Sequence, residues 1–192
     1  MLLPNYLINL CPLNMSCNCF NKKVTFNRTD SFNTRLSRSK CSCASRFTVK
    51  ENKRSFSVCC KDTNLVDKYK IDGYFDKSAD HKKCDYLFVY HHSSKETIIF
   101  VELKGTDIKH AIRQLDETIS IFAKEQFFVQ IKDFALIGAI VSTNYPSDDA
   151  TFRKLKTTII KKFKKYNLSI EHKTLEMRYD PKRNRFMGRN DK

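Results

Sequence analysis

The clearest pattern in the chain is a series of short apolar segments separated by polar ones. Residues 84–90 and 97–104 are rich in aromatic and β-branched side chains, the composition typical of β-strands. The polar residues 91–96 between them have the length of a hairpin connection. Residues 134–141 form a continuous apolar run. This run suits a strand covered on both faces and is too short to span a membrane.

Two further segments have the spacing of amphipathic helices. Thr106 or Asp107 can cap the first helix, whose apolar positions recur every three or four residues. Those positions are Ile108, Ile112, Leu115, Ile119 and Phe122. The second helix follows Pro146 and has Asp148 and Asp149 in its first turn. Its predicted core positions are Phe152, Leu155, Ile159 and Phe163. Alternating strands and helices predict an α/β sandwich with a mixed sheet.

The two strands joined by the predicted hairpin carry the candidate chemistry. Alternation places Glu102 and Lys104 on one face of their strand. If the hairpin folds about residues 93–94, Asp85 lies opposite Glu102. Opposed like charges destabilise a sheet unless a cation lies between them, so this register favours a metal site. A register shifted by two residues would instead pair Asp85 with Lys104, as a salt bridge without metal. Both remain open because Ser-Ser is a weak hairpin signal.

At these residues the chain resembles the PD-(D/E)xK nuclease superfamily, whose shared core is an αβββαβ unit. The resemblance begins at a candidate first strand, residues 68–75, and extends to about residue 143. It implies that Asp85 and Glu102 are metal ligands, with the Leu103 carbonyl often a third ligand. It also implies that Lys104 positions or activates a water molecule.

Residues around the motif extend the resemblance and also depart from it. Some families of the superfamily carry a glutamine on the helix beside the active site, and Gln114 resembles this residue. The alternative is that Gln114 is an ordinary solvated helix residue. Cys84 stands where the name of the motif has proline. Many members supply an acidic residue from an N-terminal helix, but no amphipathic helix is evident before the first strand. Glu51 and Asp62 are the nearby acidic residues, and Asp72 is a further candidate ligand.

Charge is unevenly distributed along the 192 residues. The 36 basic and 21 acidic side chains give a net charge of +15. Residues 1–60 carry +8 and residues 151–192 carry +10, whereas residues 61–150 carry −3. Basic flanks around an acidic centre fit a metal-dependent enzyme acting on a polyanion, because lysine and arginine neutralise phosphates. On the second helix we predict nucleic-acid contacts at Lys161, Lys162, Lys164 and Lys165. The alternative is that these lysines form an ordinary solvated helix face.

Residues 1–45 are predicted to form a partly irregular N-terminal extension. The cysteine pairs in this segment, Cys17 with Cys19 and Cys41 with Cys43, could form a four-thiolate zinc site. One-residue spacing is unusual for zinc ligands. Reduced thiols acting as small apolar residues are therefore the preferred interpretation of the eight cysteines.

Residues 46–180 are expected to form one nuclease-like α/β domain, with a mixed central sheet flanked by helices. Residues 46–50 and 54–60 could pair as strands at its start, and residues 181–192 are predicted to be a mobile basic tail. An apolar content of 41% supports a substantial core. The chain has four glycines and no glycine-rich phosphate loop, which argues against a nucleoside triphosphatase or a dinucleotide-binding enzyme.

These patterns predict a nuclease dependent on Mg²⁺ or Mn²⁺, in the first instance a DNA endonuclease. Its catalytic residues would be Asp85, Glu102, Lys104 and Gln114. The alternatives are a non-catalytic nucleic-acid-binding module on the same fold, an RNase, and a small zinc-containing interaction protein. We expect a cytoplasmic protein with nucleic acid as its partner and no membrane association. The oligomeric state, a homodimer included, stays open.

Overall fold

The computed structural model describes residues 37–40, 46–60, 66–72, 83–91, 96–124, 134–144, 148–163 and 166–188. The strands within these ranges are β1 (Ser37–Lys40), β2 (Arg46–Glu51), β3 (Arg54–Cys59), β4 (Val66–Lys70), β5 (Tyr86–His91), β6 (Glu96–Lys104), β7 (Phe134–Ser142), β8 (Tyr166–His172), β9 (Thr174–Asp180) and β10 (Arg185–Gly188). The helices are α1 (Ile108–Lys124) and α2 (Ala150–Lys162). The fold is therefore mixed α/β, as predicted.

The larger sheet has six strands in the order β1-β4-β5-β6-β7-β8. The first four pair antiparallel, whereas β6, β7 and β8 pair parallel. Parallel neighbours need a crossover connection, which α1 and α2 supply. The predicted two-faced strand is β7, because Leu136 and Ile140 lie in one core and Ile137 and Val141 in another.

A second sheet of four strands has the order β10-β9-β3-β2. The predicted pairing of residues 46–50 with residues 54–60 is confirmed, since β2 and β3 form an antiparallel hairpin. Strand β9 joins β3 in parallel and β10 pairs antiparallel with β9. Strands β8, β9 and β10 were not among the elements predicted from the sequence.

The helices, the large sheet and the small sheet form three layers that enclose two hydrophobic cores. Alternate residues of β6 are divided between the cores: Ile98 and Phe100 face the helices, and Ile99 and Val101 face the small sheet. The expectation that helices flank the central sheet is thus correct for one face only. On the other face the small sheet takes the place of helices.

Helix α1 begins as its sequence predicts. Of the two candidate caps, Asp107 is the one used: its Oδ1 accepts a hydrogen bond from the His110 amide at 2.9 Å. All five predicted apolar positions are 5% exposed or less. The helix therefore packs on the sheet with the face that its periodicity indicated.

Helix α2 begins at Ala150, after the two aspartates that were expected in its first turn. Asp149 is its N-cap and accepts from the Phe152 amide at 2.8 Å, so Asp148 and Asp149 precede the first turn rather than lie within it. Of the predicted core positions, Phe152 and Ile159 are buried. Leu155 and Phe163 are partly buried against the same core.

Three segments differ from the boundaries predicted for them. The first strand of the candidate unit was expected over residues 68–75, whereas β4 ends at Lys70; residues 73–75 lie outside the described part of the chain. The extension predicted to be partly irregular contains β1, which pairs along the edge of β4. The expected mobile tail contains β10, because Phe186 is buried against the rings of Tyr90 and Tyr179.

Gly138 in β7 is a described strand position where a neighbouring residue leaves no room for a side chain. A Cβ at this position would lie at 1.9 Å from the hydroxyl oxygen of Tyr166 and at 3.1 Å from Leu168 Cδ1. A glycine inside a strand commonly marks such a close approach. The Tyr166 hydroxyl is buried and finds no hydrogen-bond partner among the described residues.

Candidate active site

Asp85 and Glu102 meet at one end of the large sheet. Strands β5 and β6 pair Tyr86 with Val101. This is the register predicted from the sequence, and continuing it by one residue sets Asp85 level with Glu102. The alternative register, shifted by two residues to pair Asp85 with Lys104, is wrong. Asp85 is fixed at this point because its Oδ2 accepts a hydrogen bond from the Leu103 amide at 2.6 Å.

Glu102 and Lys104 lie on the helix side of β6, as the predicted alternation requires. Lys104 Nζ donates to Gln114 Oε1 on α1 at 3.0 Å and is 4.0 Å from Glu102 Oε1. Gln114 Nε2 donates in turn to the Lys83 carbonyl at 3.0 Å, which fixes the orientation of the amide. The structure therefore brings together the four residues predicted to be catalytic.

Burial makes both carboxyl groups difficult to ionise. Glu102 is 2% exposed, and its Oε2 has no hydrogen-bond partner among the described residues. Desolvation, followed by the charge of Asp85, raises the pKa of Glu102 to about 8, against the attraction of Lys104. Desolvation likewise raises the pKa of Asp85 to about 6, although the hydrogen bond from Leu103 lowers it.

Two more carboxylates act on this pair from outside the β5–β6 hairpin. The negative charges of Glu51 and Asp72 raise the pKa values of both Asp85 and Glu102. Glu51 ends β2 in the small sheet, and Asp72 follows β4; both are exposed. The sequence left open where a further acidic group would come from, and among the described residues these two carboxylates are within electrostatic range of the pair.

Arg54 is the residue of the site that the sequence analysis missed. It faces Glu51 across the β2–β3 hairpin, is 7% exposed, and donates from Nε to the Glu51 carbonyl at 3.2 Å. Its positive charge lowers the pKa of Asp85. Its Nη1 lies 3.8 Å from where a Cβ on Gly105 would be. The available signal was an arginine in phase with the apolar residues Phe56 and Val58.

The chemistry of these donors fits a divalent cation in one respect and falls short in another. Carboxylate oxygens are the ligands that Mg²⁺ prefers, and the unpartnered Oε2 of Glu102 is an acceptor that a cation would satisfy. However, no three His, Cys, Asp or Glu side chains among the described residues are grouped so as to hold a metal ion. The resemblance implies a ligand set of only two side chains, Asp85 and Glu102, with the Leu103 carbonyl as the third ligand. A site of this kind does not need three metal-ligating side chains.

The lysines predicted to bind nucleic acid are not all at this site. Lys161 and Lys162 are exposed near the end of α2. Lys162 Nζ donates to Asp116 Oδ1 and Ser120 Oγ on α1, so part of its binding capacity is used within the protein. The remaining two predicted contacts, residues 164–165, lie outside the described part of the chain.

The C-terminus of α2 lies at the end of the large sheet opposite the carboxylates. Helix α2 leads into Tyr166, which pairs with Leu136, and Leu136 pairs with Ile98 in β6. Ile98 precedes Lys104 by about 20 Å at roughly 3.3 Å per strand residue. The backbone of Lys161 and Lys162 is therefore far from Lys104, although the Lys162 ammonium reaches Asp116, two residues from Gln114.

The predicted zinc ligands Cys17, Cys19, Cys41 and Cys43 lie outside the described residues, so the zinc hypothesis stays a prediction. Cys59, Cys60 and Cys84 are reduced thiols in buried positions. Burial is the main reason why the pKa of the Cys84 thiol lies well above its usual value.

Comparisons of the chain with protein-family models, with curated proteins and with solved structures found no match. Neither helix in the described part of the chain is long and apolar enough to cross a membrane.

Proposed function

We propose that this protein is a metal-dependent nuclease of the PD-(D/E)xK type that hydrolyses phosphodiester bonds, with DNA as the first substrate to test. The observation that carries the proposal is Glu102, a buried carboxyl group with an unpartnered oxygen beside Asp85 and Lys104. Protein interiors rarely leave a buried acceptor unsatisfied unless the group has a functional role. A divalent cation between Asp85 and Glu102 would compensate both carboxylates.

The arrangement of elements supports the same proposal. Strands β4, β5 and β6, helix α1 and strand β7 follow one another in the order of the βββαβ part of the superfamily core. A helix preceding these strands is not found among the described residues. We propose that Glu51, at the end of β2, contributes the acidic charge that such a helix supplies in many members.

Asp85 and Glu102 would hold Mg²⁺ or Mn²⁺, with the Leu103 carbonyl as a third ligand. A bound divalent ion lowers the pKa of its water and stabilises charge on the attacking and leaving oxygens of a phosphodiester. The Leu103 amide holds Asp85 in place for this role through its hydrogen bond to Oδ2.

Lys104 supplies the positive charge that such a reaction needs on the protein side. Its side chain is 29% exposed and is oriented by Gln114, which the Lys83 carbonyl holds in place. The ammonium can orient a water molecule or stabilise the negative charge that develops on the phosphate. Arg54 adds a second positive charge that acts on Asp85, and a guanidinium is a group that pairs well with phosphate oxygens.

Purified protein incubated with plasmid, linear duplex and single-stranded substrates should cleave in Mg²⁺ or Mn²⁺ and not in EDTA. Asp85→Ala, Glu102→Ala and Lys104→Ala should each lower the cleavage rate by about 100-fold or more while the protein stays folded. Glu117→Ala, which removes an exposed carboxylate of α1, is the matched control and should cut at the wild-type rate. Wild-type rates in all three site variants would refute the assignment.

A second candidate function is a nucleic-acid-binding module without catalysis. It is favoured by the lack of a group of three metal-ligating side chains among the described residues. In that case the wild-type protein would bind the same substrates and leave them intact in every metal. An RNA substrate in the same assay separates an RNase from a DNA endonuclease.

A further inference from the structure

Two lysines occupy backbone conformations that lysine rarely adopts. Four described residues other than glycine have a positive φ: Asn52 at 42°, Lys53 at 67°, Lys173 at 60° and Asn184 at 48°. Asparagine tolerates the left-handed region, whereas a residue such as lysine pays a steric cost there that glycine avoids. Strained positions of this kind are concentrated at functional sites, so the choice of lysine at two of them needs an explanation.

Lys53 lies in the tight turn of the β2–β3 hairpin. Glu51 pairs with Arg54, so Asn52 and Lys53 are the two central residues of a turn in which both φ values are positive. Such turns match the twist of the strands and favour Asn-Gly, so glycine would serve the fold better than Lys53. Arg54, which follows directly, is the residue whose charge acts on Asp85.

Lys173 lies where the chain passes from the large sheet to the small one. His172 ends β8 and Thr174 begins β9, so this residue alone makes the connection. Its backbone is fully engaged: its amide donates to the Ser142 carbonyl at 2.8 Å, and its carbonyl accepts from the Ser55 amide at 2.9 Å. Neither bond involves the side chain, which the turn therefore does not require.

The two lysines are linked to the candidate site through hydrogen bonds. The Ser55 amide joins the hairpin to Lys173, and Lys173 is joined to Ser142. The Ser142 hydroxyl donates to the Gly105 carbonyl at 2.7 Å, directly after Lys104 in the chain. Both Lys53 and Lys173 are exposed, so two ammonium groups on firmly held backbone positions are available to solvent at the same end of the molecule as the carboxylates.

We infer that Lys53 and Lys173 form a phosphate-contact pair that holds a nucleic-acid backbone at the candidate site. The inference rests on the proposed function and names the surface that binds its substrate. Contacts to phosphates position a nucleic acid and are independent of its sequence. The rigid turns reduce the number of backbone conformations that binding would have to restrict. This surface replaces the α2 lysines as the principal contact, because the end of α2 lies at the opposite end of the large sheet.

Glycine substitutions separate this role from a structural one. Lys53→Gly and Lys173→Gly relieve the backbone strain, so their melting temperatures should equal or exceed that of the wild type. Binding of a labelled DNA duplex, measured by fluorescence anisotropy in EDTA over a range of salt concentrations, should nevertheless weaken. Each lost contact should lower the slope of log K against log salt by about 0.9, and the double variant by about 1.8.

Two controls test whether the effect belongs to these positions. Asn52→Gly loosens the same turn without removing a charge and should bind as the wild type does. Lys161→Ser with Lys162→Ser removes two exposed charges at the C-terminal end of α2, the end opposite the carboxylates, and should preserve the salt slope. The inference is overturned if the lysine-to-glycine double variant binds with the wild-type slope, or if the α2 pair lowers the slope equally.

The same variants distinguish failure of this inference from failure of the proposed function. If the wild type does not cleave DNA in any metal but the double variant loses affinity and salt slope, the binding surface stands and the nuclease proposal fails. If the wild type cleaves and the double variant binds and cleaves like it, the nuclease proposal stands and the contact pair is wrong.

Discussion

Glu102 is a carboxyl group placed where its charged form is costly. The charges of Asp85, Glu51 and Asp72 add to the effect of desolvation, and Lys104 offsets only part of it. With the pKa of Glu102 raised to about 8 and that of Asp85 to about 6, the folded, metal-free protein retains protons that the unfolded chain releases near pH 4. Its stability should therefore fall as pH rises from about 4 to about 8.

Glu102→Gln should remove most of this pH dependence in the metal-free protein. The amide is neutral at every pH, so the variant should gain stability relative to the wild type as pH rises from about 5 to about 8. Urea unfolding in EDTA at the two pH values measures the gain. Because variant and wild type are compared at the same pH, the contributions of the other titrating groups to the free energy of unfolding cancel. A difference that is the same at both pH values would contradict the raised pKa. Calorimetry with Mg²⁺ or Mn²⁺ should show no binding to the variant.

The predicted residues of the site were within reach of sequence reasoning because their relationships are local. Asp85 and Glu102 are joined by one hairpin, and Lys104 lies on the same strand face as Glu102. The predicted helix, carrying Gln114, follows directly. Arg54 could not be predicted from local sequence, because its position relative to Asp85 depends on how the small sheet packs against the large one.

At the level of the secondary-structure elements, both helices begin at an aspartate cap, but the two aspartates differ in their contacts. Asp107 caps α1 by accepting a hydrogen bond from the His110 amide. Asp149 caps α2 and also forms an ion pair with Lys109 in the first turn of α1, with 2.7 Å between Lys109 Nζ and Asp149 Oδ2. This residue thus joins the starts of both helices at the end of the sheet where the site lies.

Substitution of Asp149 can separate the cap from the ion pair. Asp149→Ala should lower the free energy of unfolding by about 1 kcal/mol because the Phe152 amide loses its acceptor. Asp149→Asn keeps the capping oxygen and removes the charge that pairs with the exposed Lys109, so it should stay within about 0.5 kcal/mol of the wild type. Chemical denaturation compares the two variants. Equal losses would show that the ion pair, rather than the cap, stabilises the helix.

At the scale of the whole molecule, the small sheet makes the protein a three-layer structure. It covers the face of the large sheet that the helices leave open, and its hairpin brings Glu51 and Arg54 into electrostatic range of Asp85. The segment after residue 180 belongs to this layer. Phe186 is 6% exposed and has its ring 5.1 Å from that of Tyr90 and 5.4 Å from that of Tyr179, measured between centroids.

Phe186→Ala should therefore lower the free energy of unfolding by about 3 to 5 kcal/mol, the usual cost of emptying a buried phenylalanine site. Arg185→Ala, at the exposed neighbouring position of β10, should change it by less than about 0.5 kcal/mol. Urea denaturation of the full-length variants measures both effects. A stability of Phe186→Ala equal to that of the wild type would mean that this segment behaves as the mobile tail expected from the sequence.

Features that depend on neighbouring residues could be predicted from the chain alone. The α1 face and the continuous apolar strand β7 follow from periodicity within single segments, whereas for β5 and β6 the sequence allowed two registers and the structure has the one that sets Asp85 level with Glu102. The partners of distant strands came only from the packed fold. Residues 174–180 alternate in polarity as a strand does, yet nothing in that pattern indicates that β9 pairs with β3, more than a hundred residues earlier. Such pairing depends on the shape of a distant apolar surface, which leaves no local period in the chain, and it is what brings Arg54 into electrostatic range of Asp85.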